Sequence, residues 1–197
     1  MTSTSSKDRV RDILLEHYPV SDSLVDSFNS MSRLHKLDAG QHLWREGDSQ
    51  NSLFLLNSGL LYAYFITDDG KSMCKEIYWE FDLIFCFRSL LTNVQYPFNV
   101  MALETTQLFE ISKQKYLEWV HQQNENLQFH LAVVSEYYMY KEGKEELLLL
   151  NSPEQRVGFF YNTYPELVKR VPQHIIASYL GITPISLSRI KKRLTLK

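Results

Sequence analysis

The sequence predicts an α+β protein with an N-terminal double-stranded β-roll (jelly-roll-like), a long helix and a C-terminal helix-turn-helix domain. Three observations support this. Residues 34–111 contain short apolar runs separated by glycine-bearing turns, a pattern typical of a β-barrel or sandwich. Residues 126–150 contain no proline and a single glycine, which indicates one long helix. Residues 173–192 have the spacing of two short helices joined by a tight turn.

The composition is that of an ordinary folded chain. The 197 residues are 44% hydrophobic and 22% charged, which excludes global disorder. Two cysteines, Cys74 and Cys86, are too few for a disulfide scaffold or a four-cysteine metal site. No apolar run approaches the roughly 20 residues of a membrane span, and residues 1–12 show no signal-peptide pattern. We therefore expect a soluble, cytoplasmic protein.

The charge is distributed unevenly along the chain. All 23 acidic residues lie at or before Glu166, whereas the segment from Leu167 to the end has seven Lys or Arg residues and no acid. The net charge of −2 therefore divides into −9 for residues 1–166 and +7 for the rest. A basic segment on an acidic body predicts a polyanionic partner. Charge alone leaves open whether this partner is a nucleic acid or a membrane surface.

The elements of the N-terminal part follow from local spacing. Residues 7–17 are predicted to form a helix that Pro19 stops, and Ser21 or Asp22 caps a second short helix. Residues 81–91 interrupt the strand rhythm and are expected to form a short helix or a loop. The predicted strands are residues 41–45, 53–56, 60–66, 73–79 and 100–111.

Two helices are predicted to follow the β-roll, over residues 113–122 and 126–150. In the second, every third or fourth residue forms a seam like that of a coiled coil, although two of its members are charged. We interpret this helix as a dimer axis or an interdomain spacer; the alternative is a helix packed on its own domain. The six seam positions are Leu131, Val134, Tyr138, Lys141, Glu145 and Leu148.

The predicted boundaries give residues 1–125 as a sensor-like β-roll domain with flanking helices, 126–150 as the dimerisation helix and 151–197 as the helix-turn-helix domain. Asn151-Ser152-Pro153 is the expected hinge, because Asn or Ser can cap a helix and Pro suits its first turn.

Residues 173–192 meet several positional requirements of a helix-turn-helix at once. Ala177 is small where two helices cross, Gly181 allows the positive φ of the turn, and Thr183 with Pro184 begins the second helix. The expected shared core is Ile176, Leu180, Leu187 and Ile190. Because this is also the basic end of the chain, the favoured partner is double-stranded DNA, with no membrane contact.

The second helix, residues 184–194, is expected to enter the major groove. Arg189 can bind guanine through two hydrogen bonds, and the serines can donate or accept. Gln173 and Thr183, at two helix starts, can bind phosphates. Attraction to phosphates that does not depend on sequence is expected from Lys191, Lys192, Arg193 and Lys197. The candidate DNA-binding residues are Gln173, Thr183, Pro184, Ser186, Ser188, Arg189, Lys191 and Lys192.

The whole pattern resembles the Crp/Fnr superfamily of bacterial transcription regulators, over roughly residues 20–194. The most specific stretch is residues 176–190, IASYLGITPISLSRI, and the turns LDAG (37–40), REGD (45–48) and NSG (57–59) resemble those of the family's β-roll. The resemblance implies a homodimer along the long helix, an effector-sensing N-terminal domain and binding to a two-fold-symmetric DNA site. RNA polymerase is a further candidate partner.

Two departures from the family pattern affect the predicted function. Cyclic-nucleotide binders of the family carry a Gly-Glu pair and a later arginine. This chain has Phe85 and Cys86 at the pair and Tyr96 or Pro97 near the arginine position. The ribose would lose its carboxylate and the phosphate its guanidinium, so we expect no binding of cyclic AMP. The family's wing after the recognition helix is also missing from the sequence, and Pro184 and Ile185 replace the Arg and Glu of relatives that read a guanine-rich half-site.

The residues also bear on other functions. We expect no cofactor and no metal, because the oxygen-sensing branch needs more cysteines and because isolated histidines such as His35 and His42 are usually structural. The alternative is a cupin-like β-roll that binds a small molecule or a metal, or acts as an enzyme, with an accessory helical domain. Cupin enzymes need clustered His and Glu ligands, which this pattern lacks, so we expect no enzyme activity. The aromatic residues of the roll are interpreted as core, which leaves any small-molecule effector unknown.

Overall fold

The computed structural model describes residues 6–49 and 51–195. Lys197, which the charge argument counted, lies outside the described residues. The helices are α1 Ser6–His17, α2 Asp22–Met31, α3 Phe87–Thr92, α4 Lys113–Val120, α5 Asn124–Leu150, α6 Pro153–Thr163, α7 Pro165–Arg170, α8 Gln173–Tyr179 and α9 Pro184–Leu194. The strands are β1 Ser32–Leu37, β2 His42–Trp44, β3 Ser52–Ser58, β4 Leu61–Ile66, β5 Ser72–Tyr78, β6 Leu83–Ile84, β7 Asn99–Ala102 and β8 Thr106–Ser112.

Two four-stranded sheets form the β-roll that the sequence predicted. The strand orders are β1-β8-β3-β6 and β2-β7-β4-β5. β8 pairs antiparallel with β1 on one side and with β3 on the other, and β2 pairs antiparallel with β7. Strands that follow each other along the chain mostly lie in different sheets. The chain therefore crosses repeatedly from one sheet to the other, as in a jelly roll.

Strand β3 shows why its sequence is a continuous apolar run instead of an alternating one. Phe54 and Leu56 belong to the cluster between the sheets. Leu53 and Leu55, which point to the opposite face, pack in a second cluster with α1, α2, α4 and the beginning of α5. Both faces of the strand are therefore buried at residues 53–56, so apolar residues are needed at each of these four positions.

Gly59 is required by a close approach of two chain segments. Its φ is +111°, and a Cβ at this position would lie 2.4 Å from Thr106 Oγ1 and 2.7 Å from Thr106 Cα. Any side chain would clash with backbone, and the positive φ would add strain. The asparagine-serine-glycine turn in the sequence is thus a packing requirement of the roll.

Aromatic residues anchor the helices that cover the first sheet. Phe28 of α2 meets Trp119 of α4 edge to face, with ring centroids 5.2 Å apart. Trp119 Nε1 donates to Ser27 Oγ at 2.8 Å, and Tyr116 is fully buried beside them. Part of the high aromatic content of the chain is therefore accounted for outside the roll itself.

The chain divides into two compact units. The first comprises the described residues up to Ala63 together with Ile77–Glu136, which contain most of the roll and its covering helices. The second comprises Tyr64–Glu76, the outer part of the β4–β5 hairpin, together with the described residues from Tyr137 onward. α5 contributes its first half to one unit and its second half to the other.

Several element boundaries differ from the sequence-based prediction. α5 begins at Asn124, two residues earlier than predicted, and the predicted strand 100–111 is two strands, β7 and β8, interrupted at residues 103–105. Residues 81–91 contain both the short strand β6 and most of α3. β1 was not predicted, because it is largely exposed and its apolar residues do not alternate.

The predicted seam of α5 is divided in the structure. Leu131 and Tyr138 are 48% and 62% exposed, and Val134 is half-buried. Lys141, by contrast, directs its ammonium to Glu76 within the same chain. Leu131 and Tyr138, seven residues apart, remain open on the helix surface, whereas Lys141 does not.

Candidate nucleic-acid interface

Helices α6 and α9 begin at the capping residues that the sequence predicted, Ser152 and Thr183. Ser152 and Gln155 form a capping box at the start of α6, in which Ser152 Oγ accepts from Gln155 N at 3.3 Å and Gln155 Oε1 accepts from Ser152 N at 2.8 Å. Pro153 occupies the first turn. These contacts satisfy backbone N–H groups that lack partners at a helix start, so α6 begins directly after α5 ends at Leu150.

α8 and α9 pack as the predicted helix-turn-helix. Ile176, Ala177 and Leu180 have no exposed surface, and Leu187 and Ile190 are buried against them. Gly181 in the turn has a φ of +67°, a conformation that other residues adopt at a cost. The bounds of α9, Pro184–Leu194, are those predicted.

The N-terminus of α9 is capped by the hydroxyl group of Thr183, which also contacts that of Ser186. Thr183 Oγ1 accepts from Ser186 N at 3.1 Å, and the two side-chain oxygens lie 2.9 Å apart. Ser186 is consequently half-buried. Thr183 is exposed, but its oxygen already serves the helix cap.

One flank of α9 is lined by five of the eight candidate residues. Pro184, Ser188 and Lys192 border a shallow cleft there, together with Gln173 and Lys191. Gln173 Oε1 accepts from Tyr161 Oη at 2.8 Å and from Lys191 Nζ at 3.2 Å. Gln173 and Lys191 are therefore bonded to each other, so their side chains are less available to DNA than the sequence suggested.

The other flank of α9 brings together Thr183, Ser186, Arg189 and again Lys192. Arg189, Lys192 and Ser188 are exposed, and none of their side chains makes a hydrogen bond or ion pair with a described residue. The structure thus places all eight candidates on α9, its cap or the start of α8, with Arg189 and Lys192 unengaged.

Two arginines, one at the end of α9 and one on α6, change the charge distribution expected from the sequence. Arg193 forms an ion pair with Glu154 of α6, so part of its charge is compensated. Arg156, also on α6, lines the same cleft as Arg189, and its Nε is buried without a hydrogen-bond partner in the described chain. Sequence reasoning missed Arg156, because no local pattern connects α6 with the turn at Gly181.

Comparison with known proteins agrees with this architecture. The family model of the cyclic nucleotide-binding domain matches residues 34–123. The chain is 26% identical over 179 residues to the fumarate and nitrate reduction regulatory protein of Yersinia pestis, an alignment that covers 84% of this chain and 70% of that protein. It is 26% identical over 178 residues to the anaerobic regulatory protein of Haemophilus influenzae, covering 84% and 68%.

A solved structure shows the same fold at lower identity. FixK2 from Bradyrhizobium japonicum superimposes with a TM-score of 0.73 at 14% identity, covering 83% of this chain and 84% of that one. Together, the matched domain and these regulators support a transcriptional regulator of the Crp/Fnr superfamily. The resemblance deduced from the sequence is therefore confirmed.

The β-roll of this Crp/Fnr regulator does not fit a cyclic nucleotide at the family's position. Tyr96, which stands where the arginine is expected, stacks on Trp44 with centroids 4.2 Å apart and planes 8° from parallel. Both rings and Cys86 are nearly completely buried, and Ser89 Oγ donates to Cys86 Sγ at 3.3 Å. No guanidinium or carboxylate replaces the missing groups among these residues, so nothing there would pair with a phosphate and a ribose.

The histidines weighed as haem or metal ligands are held by protein contacts. His35 Nδ1 lies 3.3 Å from Glu110 Oε2. Burial, followed by repulsion from Arg45, lowers the pKa of His42 below its ordinary value. In the part of the chain that the structure describes, no group of three or more His, Cys, Asp and Glu side chains could hold a metal ion, and no helix is long and apolar enough to cross a membrane.

A buried charge cluster in the second unit was not foreseen from the sequence. The Glu76 side chain, on β5, is only 3% exposed. Lys141 Nζ donates to Glu76 Oε2, and Tyr140 Oη donates to Glu76 Oε1 at 2.6 Å. Lys144 Nζ donates to the Lys75 carbonyl at 2.6 Å and stays 3.4 and 3.5 Å from the two Glu76 oxygens.

The pKa values in this charge cluster follow from its burial. Burial alone would raise the pKa of Glu76, but attraction by Lys144 and Lys141 together with hydrogen bonds lowers it below the ordinary value. Burial lowers the pKa of Lys144, although Glu76 opposes this. Burial and Glu76 raise the pKa of Tyr140, so its hydroxyl stays protonated. Because Tyr140 donates its one hydroxyl proton to Glu76, the bond to Tyr179 Oη, 2.6 Å away, requires Tyr179 as the donor.

Proposed function

We propose that this transcriptional regulator binds double-stranded DNA as a homodimer, with α9 of each protomer in the major groove of one half-site. The observation that carries the proposal is that Arg189 and Lys192 stand exposed on α9 without partners in the described chain, while the opposite face of α9 is buried through Leu187 and Ile190. α8 and α9 contain no acidic residue to repel phosphates.

The two exposed cations have different proposed roles. Arg189 lies in the second turn of α9, where its planar fork reaches base edges and binds guanine, worth about 1–3 kcal/mol of discrimination. Lys192 lies nearer the end of the helix, which rises from the groove toward phosphates. Ser188 and Ser186 contribute hydrogen bonds, and Thr183 and Gln173 support the two helix starts, whose positive ends favour phosphate.

Arg156 is proposed as an additional phosphate-contacting residue. It borders the cleft that contains Arg189 and Thr183, where its guanidinium charge would attract a DNA phosphate. A charge-assisted hydrogen bond between guanidinium and phosphate is stronger than one between neutral groups. Pro184 and Lys191 complete the surface on the other flank.

The proposed dimer axis is α5. Leu131 and Tyr138 are exposed one heptad apart, which is the spacing that a parallel partner helix requires. Two half-sites would then lie about one helical turn, roughly 34 Å, apart on the DNA. The proposed division is residues 1–125 as a β-roll domain, 126–150 as the dimerisation helix and 151–197 as the DNA-binding domain, with an unidentified effector and no enzyme activity.

A selection on random DNA tests the roles of the two cations. The unsubstituted protein, Arg189→Ala and Lys192→Ala are each used to select sequences at a fixed salt concentration. Arg189→Ala should relax specificity at one base pair per half-site. Lys192→Ala should weaken all sequences alike, because a phosphate contact carries no base information.

The result that would change the assignment is an equal loss on all sequences for Arg189→Ala. Arg189 would then be a phosphate contact, and base reading would fall to Ser186 or Ser188. Lys169→Ala is a matched control, because Lys169 is an exposed lysine that already pairs with Glu166 at 2.5 Å and lies outside α8 and α9. No enrichment of any sequence by the unsubstituted protein would contradict the DNA-binding proposal.

A further inference from the structure

A cleft of about 410 Å³ opens between the second half of α5, α6 with the residue that follows it, and α8, all within the second unit. None of the eight proposed DNA-binding residues lines it. Its volume lies within the range of about 300–1,000 Å³ that small-molecule sites occupy. Five of its ten lining residues are aromatic: Tyr140, Phe159, Phe160, Tyr164 and Tyr179.

The aromatic wall is rigid on one side and open on the other. Phe160 is buried and packs against Tyr164 and Tyr179, with centroids 5.4 and 5.5 Å apart. Phe159, by contrast, is 48% exposed at the edge of the same cleft. Fixed rings with one exposed aromatic neighbour favour a planar aromatic ligand, because offset stacking and edge-to-face contacts add to apolar burial.

The charge at the base of the cleft favours an anion. Glu76 makes its short bonds to Lys141 and Tyr140, whereas Lys144, which lines the cleft, stands 3.4 Å or more from that carboxylate. Two ammonium groups thus share one carboxylate in a setting where the Lys144 side chain is only 13% exposed. A second carboxylate close to Lys144 would offset the unfavourable burial of its charge. Glu146 also borders the cleft, but it is exposed, so water screens its charge.

We propose that this cleft binds a small planar aromatic carboxylate, with the carboxylate beside Lys144 and the ring between Phe159 and the buried aromatic wall. The site lies outside the β-roll, in which the family's effector position is filled by Trp44 and Tyr96. It also requires no DNA, so it can be tested independently of the proposed DNA binding.

Isothermal titration calorimetry of the 197-residue chain with 2-naphthoate tests the proposal, with the neutral 2-naphthalenemethanol as the matched ligand. The acid should bind about tenfold more tightly than the alcohol, because only the acid gains a charge-assisted contact. Lys144→Met retains the length of the side chain and removes its charge. This variant should bring the affinity for the acid down to that for the alcohol, whereas Lys169→Met should change neither.

Gly143 provides a test that leaves the charge cluster intact. It lines the cleft, and a Cβ built there has no atom within 4 Å. Gly143→Leu should therefore fill the cleft and abolish binding of 2-naphthoate, whereas Gly143→Ala should leave it unchanged. Both variants should retain the helix content of the unsubstituted protein, because leucine and alanine favour helix over glycine.

Four results would overturn the proposal. Equal affinity for acid and alcohol would remove the role of Lys144, and unchanged binding by Gly143→Leu would place the ligand elsewhere. Absence of binding at millimolar 2-naphthoate would exclude the site for this ligand class. A change in sedimentation caused by Gly143→Leu would instead assign the cleft to a contact with a second copy of the chain.

Discussion

Replacing Glu76 by glutamine should destabilise the second unit by about 3–5 kcal/mol, the cost of breaking a buried ion pair by removing one partner. Glutamine keeps the size of the side chain and can still accept from Tyr140. It removes the only carboxylate that Lys141 and Lys144 contact in the described structure. Two ammonium groups would then remain in a site where the Glu76 side chain was 3% exposed, which accounts for the size of the loss.

The matched control is Asp69→Asn, on the same β4–β5 hairpin. Asp69 pairs with Lys71 at 2.5 Å, but the two side chains are 57% and 77% exposed. An exposed ion pair contributes little to stability because water and salt screen it, so this variant should be nearly neutral. The comparison separates burial from the mere presence of an ion pair, because both substitutions remove one carboxylate charge from one hairpin.

Hydrogen exchange of the backbone amides in α8 and α9 measures the effect locally, and urea unfolding followed by circular dichroism measures it globally. The pKa of Glu76 is lowered in the folded state. Its contribution should therefore be complete above the unfolded carboxyl pKa of about 4.3 and be lost as the pH falls through the lowered folded value. An effect of Glu76→Gln no larger than that of Asp69→Asn at pH 7 would refute the reasoning.

Two further predictions concern assembly and ligand binding. Substitution of both Leu131 and Val134 by glutamate should give monomers in sedimentation, because like charges would face each other along the proposed α5 axis; a variant that stays dimeric would place the interface elsewhere. Cyclic AMP should show no heat of binding at physiological concentration, because Cys86 and Tyr96 provide neither carboxylate nor guanidinium. Micromolar binding accompanied by tighter DNA binding would contradict this second prediction.

The elements that could be predicted from the sequence are those whose signals are local. The helix-turn-helix depends on spacings within 20 residues, and the capping residues Ser21, Ser152 and Thr183 act on atoms three residues away. A single sequence window contains all of this information. Accordingly, the bounds of α9 were predicted correctly.

The features that the sequence did not predict depend on contacts between distant segments. Glu76 is separated by 64 and 65 residues from Tyr140 and Lys141, so no periodicity connects them. Arg156 meets the turn at Gly181 only after α6 has packed on α9. β1 lies at the edge of its sheet, where one face is exposed, and its apolar residues are too few to show an alternating pattern.

The dependence of DNA binding on salt should be weaker than the seven positive charges of the C-terminal segment suggest. Each phosphate contact contributes a slope of about −0.9 to a plot of log affinity against log salt concentration. Several of these cations are already engaged: Lys169 with Glu166, Arg193 with Glu154, and Lys191 with Gln173 and the Tyr161 ring.

Lys192 and Arg156, with a partial contribution from Lys191, therefore give about two or three phosphate contacts per protomer. A dimer should show a slope of about −4 to −5, whereas seven contacts per protomer would give about −13. Binding isotherms between low and moderate salt measure the slope directly, and Glu154→Gln provides the informative variant. This substitution releases Arg193 from its ion pair, so it should steepen the slope by up to about two per dimer. A slope near −13 in the unsubstituted protein would mean that DNA phosphates displace the intramolecular partners, and that the count of unengaged cations does not govern affinity.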